Sequence, residues 1–150
     1  MKGNADVVYT ELTVRAMCLA YRLHDGQFDK GGAPYIHHPL FVAEQMTGEM
    51  ETIAALLHDT MEDCGVTPEM LLAEGFPLPA VEAVVLLTKK DGEDYGQYLL
   101  RIKDNPIARA VKIADIRHNS MPERLLHTPE AQDIARLEKY AAALHVLEGE

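Results

Sequence analysis

The sequence predicts an all-α fold, and three observations lead to that prediction. Apolar residues recur at helical spacing along most of the chain, as at Val8, Leu12, Ala16, Leu19 and Leu23. Valine and isoleucine never alternate with polar residues over the length of a strand. Proline and glycine fall between the apolar segments, where they begin and end helices. We therefore expect helices joined by short loops, and no sheet.

Each expected helix is bounded by a capping residue, a proline or a glycine. In chain order the expected ranges are about 6–24, 39–47, 51–63, 68–75, 79–88, 94–103, 106–119 and 129–147. The clearest starts are Thr67-Pro68, Asn105-Pro106 and Thr128-Pro129, because each places a side chain that can cap a helix before a proline at the first helical position. A Gly-rich loop at 25–34 and a polar loop at 89–93 separate the longer helices.

Length and composition favour one compact domain that spans residues 1–150. A chain of 150 residues with 47% hydrophobic content has enough apolar side chains for one core, and no linker or repeat divides it. The formal net charge of -10 argues against a nucleic-acid polymer or an anionic membrane surface as partner. A phosphorylated small molecule remains compatible with this charge, because a bound cation and local lysines reverse the field inside a cleft.

The cysteines and the hydropathy pattern indicate a cytoplasmic protein. Cys18 and Cys64 form no CxxC pair, which fits free thiols in a reducing compartment. Cys18 shares helical spacing with Val14 and Tyr21, so we expect it to be a small core residue. The sequence has no signal-peptide pattern at its start and no apolar stretch long enough to span a membrane.

The segment LLHDTMEDCG, residues 56–65, is the most informative part of the sequence. On one continuous helix His58 and Glu62 are i, i+4 neighbours, and so are Asp59 and Asp63. Three carboxylates this close repel one another unless a cation or a substrate group neutralises them. An ordinary acidic helix end would be solvated, but here the His-Asp pair directly follows an apolar, core-like run. Imidazole and carboxylate ligands together suit Mn²⁺, Fe²⁺ or Zn²⁺.

Two other segments could complete the coordination of such an ion. One is His37-His38-Pro39, in which either histidine is a candidate. The other is KIADIRHN, residues 112–119, where an aspartate inside an apolar helix is costly unless it is paired or bound to metal. A structural zinc site is a poor alternative, because such sites prefer closed sets of Cys and His ligands and the cysteines lie outside the cluster.

Taken in order, these segments resemble the HD superfamily. Within it, they resemble the guanosine 3′,5′-bis(diphosphate) (ppGpp) hydrolase domains of alarmone synthetase–hydrolases and of small alarmone hydrolases. The family pattern H-x-G-Q-x-R-K-x-G-x-P-Y-I-x-H-P is matched from His24 to Pro39, and L-L-H-D-T-V-E-D is matched by residues 56–63 with Met61 as the change. The family block K-L-A-D-R-L-H-N is matched by residues 112–119.

The resemblance implies an HD-type, metal-dependent phosphohydrolase. It favours His38 over His37 and implies one divalent ion, typically Mn²⁺, at four ligands: His38, His58, Asp59 and Asp115. It further implies that Glu62 and Asp63 position or deprotonate the attacking water. Glu62 is the better candidate for the base, because Asp63 lies at the expected end of the helix, where it could instead cap the helix or hold Lys30.

The resemblance also implies a phosphorylated nucleotide as substrate, contacted by Lys30, Asn119 and Tyr140. Tyr140 fits core packing against Leu137 and Leu144 equally well. Three positions depart from the family pattern on the substrate side: Asp29, Ile116 and Pro122. At the first of them the family has an arginine, so an aspartate is expected to repel phosphate and to weaken ppGpp hydrolysis.

Two alternatives remain open at the level of sequence. The same chemistry could act on another nucleotide or phosphorylated metabolite, which Asp29 favours. A non-catalytic nucleotide sensor would predict the loss of Glu62, Asp63 or a metal ligand, and all of these are present. The sequence indicates neither an oligomeric state nor a protein partner.

Overall fold

The computed structural model describes residues 7–149, and this part of the chain contains helices and no strand, as predicted. The helices are α1 (Glu11–Leu23), α2 (His37–Glu44), α3 (Glu49–Leu57), α4 (Thr60–Cys64), α5 (Pro68–Ala73), α6 (Leu78–Leu87), α7 (Tyr95–Lys103), α8 (Pro106–Asn119) and α9 (Ala131–Leu147). A 3₁₀ turn, Pro122–Arg124, lies between α8 and α9. Within the loop that follows α1, an isolated antiparallel bridge joins Phe28 and Pro34.

Side-chain caps explain where several helices begin. Thr10, Thr67, Asp94 and Asn105 each accept a hydrogen bond from the backbone N–H three residues later. The expected starts of α5 and α8 are therefore confirmed. The expected start of α9 is wrong, since this helix begins after Glu130, whose backbone N–H donates to the Asp133 carboxylate at 2.9 Å.

Helix α3 forms the centre of the core. Its residues from Thr52 to Leu57 are all buried, and it packs against α1, α2, α6 and α8. The first helix, α1, contributes Ala16 and Leu19 to this core. This packing brings α3 close to α2, which carries His38, and to α8, which carries Asp115; His58 directly follows the carboxyl end of α3.

The expected helix over residues 51–63 is interrupted at His58 and Asp59. Helix α3 ends at Leu57 and α4 begins at Thr60. Side chains compete with the helical backbone here, because the Thr60 hydroxyl donates to the Leu57 carbonyl at 2.8 Å and His58 Nδ1 lies 2.6 Å from the Ala55 carbonyl oxygen. His58 therefore lies at the end of one helix, whereas Glu62 lies on the next.

The outer face of α1 contradicts the expectation for Cys18. This cysteine is exposed, as are Val14 and Tyr21. Helical spacing identifies residues that share a face, but α1 packs on α3 through the face that carries Ala16 and Leu19. Over residues 7–149, none of the helices has both the length and the apolar character required to cross a membrane.

Candidate active site

A buried group of two histidines and one aspartate lies where α2, α3 and α8 meet. His38 comes from α2, His58 follows α3, and Asp115 comes from α8. One ligand atom from each residue lies within 4.8 Å of the others. His38 Nε2 is 2.7 Å from Asp115 Oδ1, and His58 Nε2 is 3.5 Å from the same oxygen. Residues that are 77 positions apart thus meet at one point.

Asp59 lies beside this group. Its Oδ2 atom is 3.1 Å from His58 Nε2 and 3.9 Å from His38 Nε2, and it accepts a hydrogen bond from the Tyr35 hydroxyl. His37 points elsewhere: it is exposed, and its ring packs edge-on against His118. The structure therefore brings the four residues expected as ligands together and leaves His37 outside.

The charges of the cluster depend strongly on one another. Burial acts to lower the pKa of His58, but Asp59 and Asp115 outweigh burial and raise this pKa well above its ordinary value. Burial acts to raise the pKa of Asp59, but His58 lowers it to about 2. Burial likewise opposes ionisation of Asp115, whereas Lys112 holds its pKa well below the ordinary value. Without a metal, a protonated His58 supplies positive charge between two carboxylates.

The donor atoms fit a divalent metal ion. His58 Nδ1 is held by the Ala55 carbonyl, so Nε2 is left facing the two carboxylates. This Nε2 atom is buried and lies 3.1 Å from Asp59 Oδ2 and 3.5 Å from Asp115 Oδ1, but among residues 7–149 no acceptor has the direction of a well-aligned hydrogen bond to it. Imidazole nitrogen together with carboxylate oxygen is a donor set that first-row divalent ions accept. The buried group of His38, His58 and Asp115 could therefore bind a metal.

Lys112 and Asn119 support Asp115 from the same helix. Lys112 Nζ donates to Asp115 Oδ2 at 2.9 Å, and Asn119 Nδ2 donates to Oδ1 at 3.2 Å. Burial acts to lower the pKa of Lys112, but Asp115 outweighs it and raises this pKa. The pairing of Lys112 was not anticipated, although its place three residues before Asp115 on one helix is the signal that could have indicated it.

His118 supports His38 on the side away from the cluster. The two Nδ1 atoms are 2.7 Å apart, so one ring donates a hydrogen bond and the other accepts it. The His118 ring also stacks on Phe41, with 4.0 Å between ring centroids. Burial, followed by the charge of Arg124, lowers the pKa of His118 to about 3, so this ring is neutral at ordinary pH. The contact fixes the orientation of the His38 ring.

Glu62 and Asp63 lie on α4, outside the buried group. Both are exposed, and Glu62 Oε1 accepts a hydrogen bond from the backbone N–H of Lys89 at 2.8 Å. Burial and then the charges of Asp59 and Glu62 raise the pKa of Asp63. The charge of Asp59 in the cluster thus affects the pKa of Asp63, whereas Glu62 is hydrogen-bonded to the loop after α6.

An open pocket of about 310 Å³ adjoins the cluster. Its lining includes all three residues that the sequence suggested as substrate contacts: Lys30, Asn119 and Tyr140. Tyr35 and Asn119 line the pocket and also donate hydrogen bonds to Asp59 and Asp115, so the pocket continues into the cluster. Arg124 and Arg136 also line it, and neither was singled out from the sequence.

The three departures from the family pattern have different surroundings. Asp29 lines the pocket but forms an ion pair with Arg124 at 3.1 Å. Ile116 is fully buried in the core, so it does not face a ligand. Pro122 begins the 3₁₀ turn that carries Arg124. Arg124 thus neutralises the charge of Asp29, while weak ppGpp hydrolysis stays a prediction.

Sequence comparison finds relatives named as GTP pyrophosphokinases and as ppGpp 3′-pyrophosphohydrolases. The chain is 36% identical over 143 residues to the probable GTP pyrophosphokinase of Mycobacterium leprae. This alignment covers 87% of this chain and 17% of that protein. It is 33% identical over 168 aligned positions to the guanosine-3′,5′-bis(diphosphate) 3′-pyrophosphohydrolase of Vibrio cholerae, covering 98% of this chain and 24% of that protein. The chain thus spans a quarter or less of the length of these relatives. No protein-family model matches it.

Structural comparison identifies the fold. One solved structure, described as "A metazoan ortholog of SpoT hydrolyzes ppGpp and plays a role in starvation responses", superposes with a TM-score of 0.73 at 19% sequence identity. The match covers 96% of this chain and 89% of the other. At this identity the match establishes the shared fold, and the sequence relatives add the family resemblance. The chain therefore shares the fold of this ppGpp-hydrolysing protein, and its sequence is similar to one part of longer proteins named ppGpp 3′-pyrophosphohydrolases.

Proposed function

We propose that this chain is a Mn²⁺-dependent 3′-pyrophosphohydrolase that acts on ppGpp in the cytoplasm. The observation that carries the proposal is the buried convergence of His38, His58 and Asp115, in which His58 Nε2 faces the carboxylates of Asp59 and Asp115. Relatives named as ppGpp 3′-pyrophosphohydrolases, at 32–33% identity, supply the substrate class.

Four side chains would hold the ion: His38, His58, Asp59 and Asp115. When bound, a divalent ion lowers the pKa of a coordinated water and neutralises charge on phosphate oxygens. Lys112 and Asn119 fix the Asp115 carboxylate, and His118 fixes the His38 ring. These contacts would hold the ligand atoms in place before an ion arrives.

Hydrolysis requires a proton acceptor for the attacking water, and Glu62 and Asp63 are the proposed residues. A new bond forms between the water oxygen and the phosphorus attached to the 3′ oxygen. The bond from that phosphorus to the 3′ oxygen breaks, pyrophosphate leaves, and GDP retains the 3′ oxygen as a hydroxyl after it takes up a proton. Glu62 Oε1 is held by the Lys89 N–H, so Oε2 is the oxygen available to accept the proton.

Substrate binding is assigned to the adjoining pocket. Lys30 is exposed there and forms no hydrogen bond or ion pair with any residue from 7 to 149, so its ammonium is available to a phosphate. Asn119 and Tyr140 line the same pocket and provide neutral polar groups for the nucleoside.

The test is turnover of a nucleotide panel by the purified protein with Mn²⁺. The panel contains ppGpp, GTP, GDP and the adenosine counterpart of ppGpp, with products separated by ion-exchange chromatography. We expect ppGpp to give GDP and pyrophosphate faster than any other compound is hydrolysed. Faster hydrolysis of another nucleotide would reassign the substrate, and no hydrolysis of any of them would refute the proposed activity.

A further inference from the structure

Arg124 joins two walls of the nucleotide pocket. It lies at the end of the 3₁₀ turn, and its guanidinium donates to Asn119 Oδ1 at 2.6 Å and to Asp29 Oδ2 at 3.1 Å. Asp29 and Arg124 are 95 positions apart, so the pair connects the loop after α1 with the segment after α8. The Arg124 side chain is 21% exposed and lines the pocket.

Asp29 is held in place from its other side. Its Oδ1 atom accepts hydrogen bonds from the backbone N–H groups of Gly31 and Ala33, both at 2.9 Å. Burial acts to raise the pKa of Asp29, but Ala33 and Arg124 outweigh it and keep this pKa below the ordinary value. The carboxylate is therefore ionised, and Arg124 neutralises its charge.

The remaining charge of the pocket is positive. Three cationic side chains line it, Lys30, Arg124 and Arg136, against one lining carboxylate, that of Asp29. Arg136 is paired with Asp133 at 2.8 Å, which leaves Lys30 as a free ammonium. An anionic ligand of nucleotide size thus meets a cationic wall, although the chain as a whole carries a net charge of -10.

We propose that Arg124 is a specificity-determining, substrate-binding residue, and that Asp29 is the positioning residue that holds its guanidinium at the pocket wall. The Arg124 guanidinium uses two of its nitrogens to donate to Asn119 and Asp29. Its remaining N–H groups can donate to a phosphate or a carbonyl oxygen of a bound nucleotide. This inference rests on the proposed function, because it assigns a residue that recognises the nucleotide of that reaction.

The link through Asn119 connects nucleotide binding to the cluster. Arg124 occupies Asn119 Oδ1, and Asn119 Nδ2 donates to Asp115 Oδ1. A nucleotide that contacts Arg124 is therefore connected, through the hydrogen bonds of Asn119, to the proposed metal ligand Asp115.

Four variants test the inference: Arg124→Gln, Arg124→Lys, Asp29→Asn and Asp29→Arg. Arg124→Gln removes the cation and should raise KM for ppGpp at least tenfold while kcat changes less than about threefold, since tenfold corresponds to about 1.4 kcal/mol of lost binding. Arg124→Lys keeps the charge but lacks the planar, forked donors with which the guanidinium contacts Asn119 and Asp29, so we expect a smaller rise. Asp29→Asn keeps the oxygen that Gly31 and Ala33 bind and removes the charge that holds Arg124, so KM should rise here too.

Asp29→Arg separates this inference from the expectation based on sequence alone. If Asp29 simply repelled phosphate, an arginine there would raise kcat/KM for ppGpp. The ion pair predicts the opposite, because two guanidinium groups would repel each other and Arg124 would lose its partner. Higher kcat/KM in Asp29→Arg would overturn the inference. So would an unchanged KM in Arg124→Gln with only a lower Tm, which would show that the ion pair merely joins two segments.

A binding measurement distinguishes failure of this inference from failure of the proposed function. The dissociation constant of ppGpp is measured by calorimetry in a Glu62→Gln background with Mn²⁺, with and without Arg124→Gln. Binding that weakens at least tenfold supports the role of Arg124 even if the wild type hydrolyses no ppGpp. No binding of ppGpp to the parent would overturn both. Arg117→Gln is the matched control, because Arg117 pairs with Glu148 on an exposed surface outside the pocket.

Discussion

The buried cluster and the adjoining pocket meet at Tyr35 and Asn119, which line the pocket and donate hydrogen bonds to Asp59 and Asp115, but the two regions are built in different ways. The cluster takes its side chains from helices and helix ends that pack on α3, so core packing fixes the distances between them. The pocket is lined by a loop, a 3₁₀ turn and α9, and a long-range ion pair joins its walls. The difference implies that the residues proposed to hold the ion tolerate little change, whereas the proposed nucleotide-binding residue Arg124 depends mainly on its pairing with Asp29.

The largest effect is expected in the cluster, for Asp115→Asn. The substitution keeps the shape but removes a charged ligand, so we expect kcat to fall at least about 10³-fold and bound Mn²⁺ to be lost. It also leaves the Lys112 ammonium, whose side chain is only 15% exposed, without its anion, and breaking a pair that is largely buried costs about 3–5 kcal/mol.

Metal content, activity and the free energy of unfolding are therefore measured together on Asp115→Asn. Asp104→Asn, an exposed aspartate at the end of α7, is the control. A folded Asp115→Asn protein with full Mn²⁺ content would show that the ion binds elsewhere.

The proton acceptor gives the next largest effect. Glu62→Gln retains the oxygen that accepts from Lys89 but removes the carboxylate, so kcat should fall by roughly 10²–10⁴-fold with little change in Mn²⁺ affinity. The parallel variant Asp63→Asn identifies the alternative base. Near-native turnover in Glu62→Gln, combined with a large loss in Asp63→Asn, would transfer the role to Asp63.

His118→Phe tests whether packing alone orients the cluster. A phenyl ring retains the stacking on Phe41 but leaves His38 Nδ1 without its partner. Loss of such a supporting contact weakens metal affinity by about 10–100-fold. Titration of Mn²⁺ into the metal-free variant measures this, with the exposed His145→Gln as control. Unchanged affinity would mean that the helix packing positions His38 without His118.

The smallest effect concerns pH. The pKa of His58 in the metal-free fold lies above its ordinary value of 6.5, so protonated His58 stabilises that fold fully below this value, and the stabilisation is lost as the pH rises through the raised pKa. A metal must displace that proton. Apparent Mn²⁺ affinity should therefore rise up to about tenfold per pH unit until the raised pKa is passed. Calorimetry in buffers of different ionisation enthalpy counts the protons released, and a pH-independent affinity with none released would contradict the assignment.

The sequence predicted the cluster better than the pocket, and the reason is physical. His38, His58, Asp59 and Asp115 stand in ordered motifs, each next to an apolar run that the core must bury. The break at His58 was missed because side chains, rather than a proline or a glycine, compete for the carbonyls at the end of α3. The 3₁₀ turn was missed too, and with it the partner of Asp29, since helical spacing carries no information about contacts between residues 95 positions apart.

The buried cluster is proposed to hold the one ion on which nucleotide hydrolysis depends. The most direct measurement is the rate of GDP release from ppGpp as Mn²⁺ is added stepwise to protein stripped with a chelator. We predict no hydrolysis without the ion, a rise in rate that parallels metal bound, and a plateau at one Mn²⁺ per chain. Hydrolysis at an undiminished rate by the stripped protein, or a rate that keeps rising beyond one bound ion, would contradict the claim.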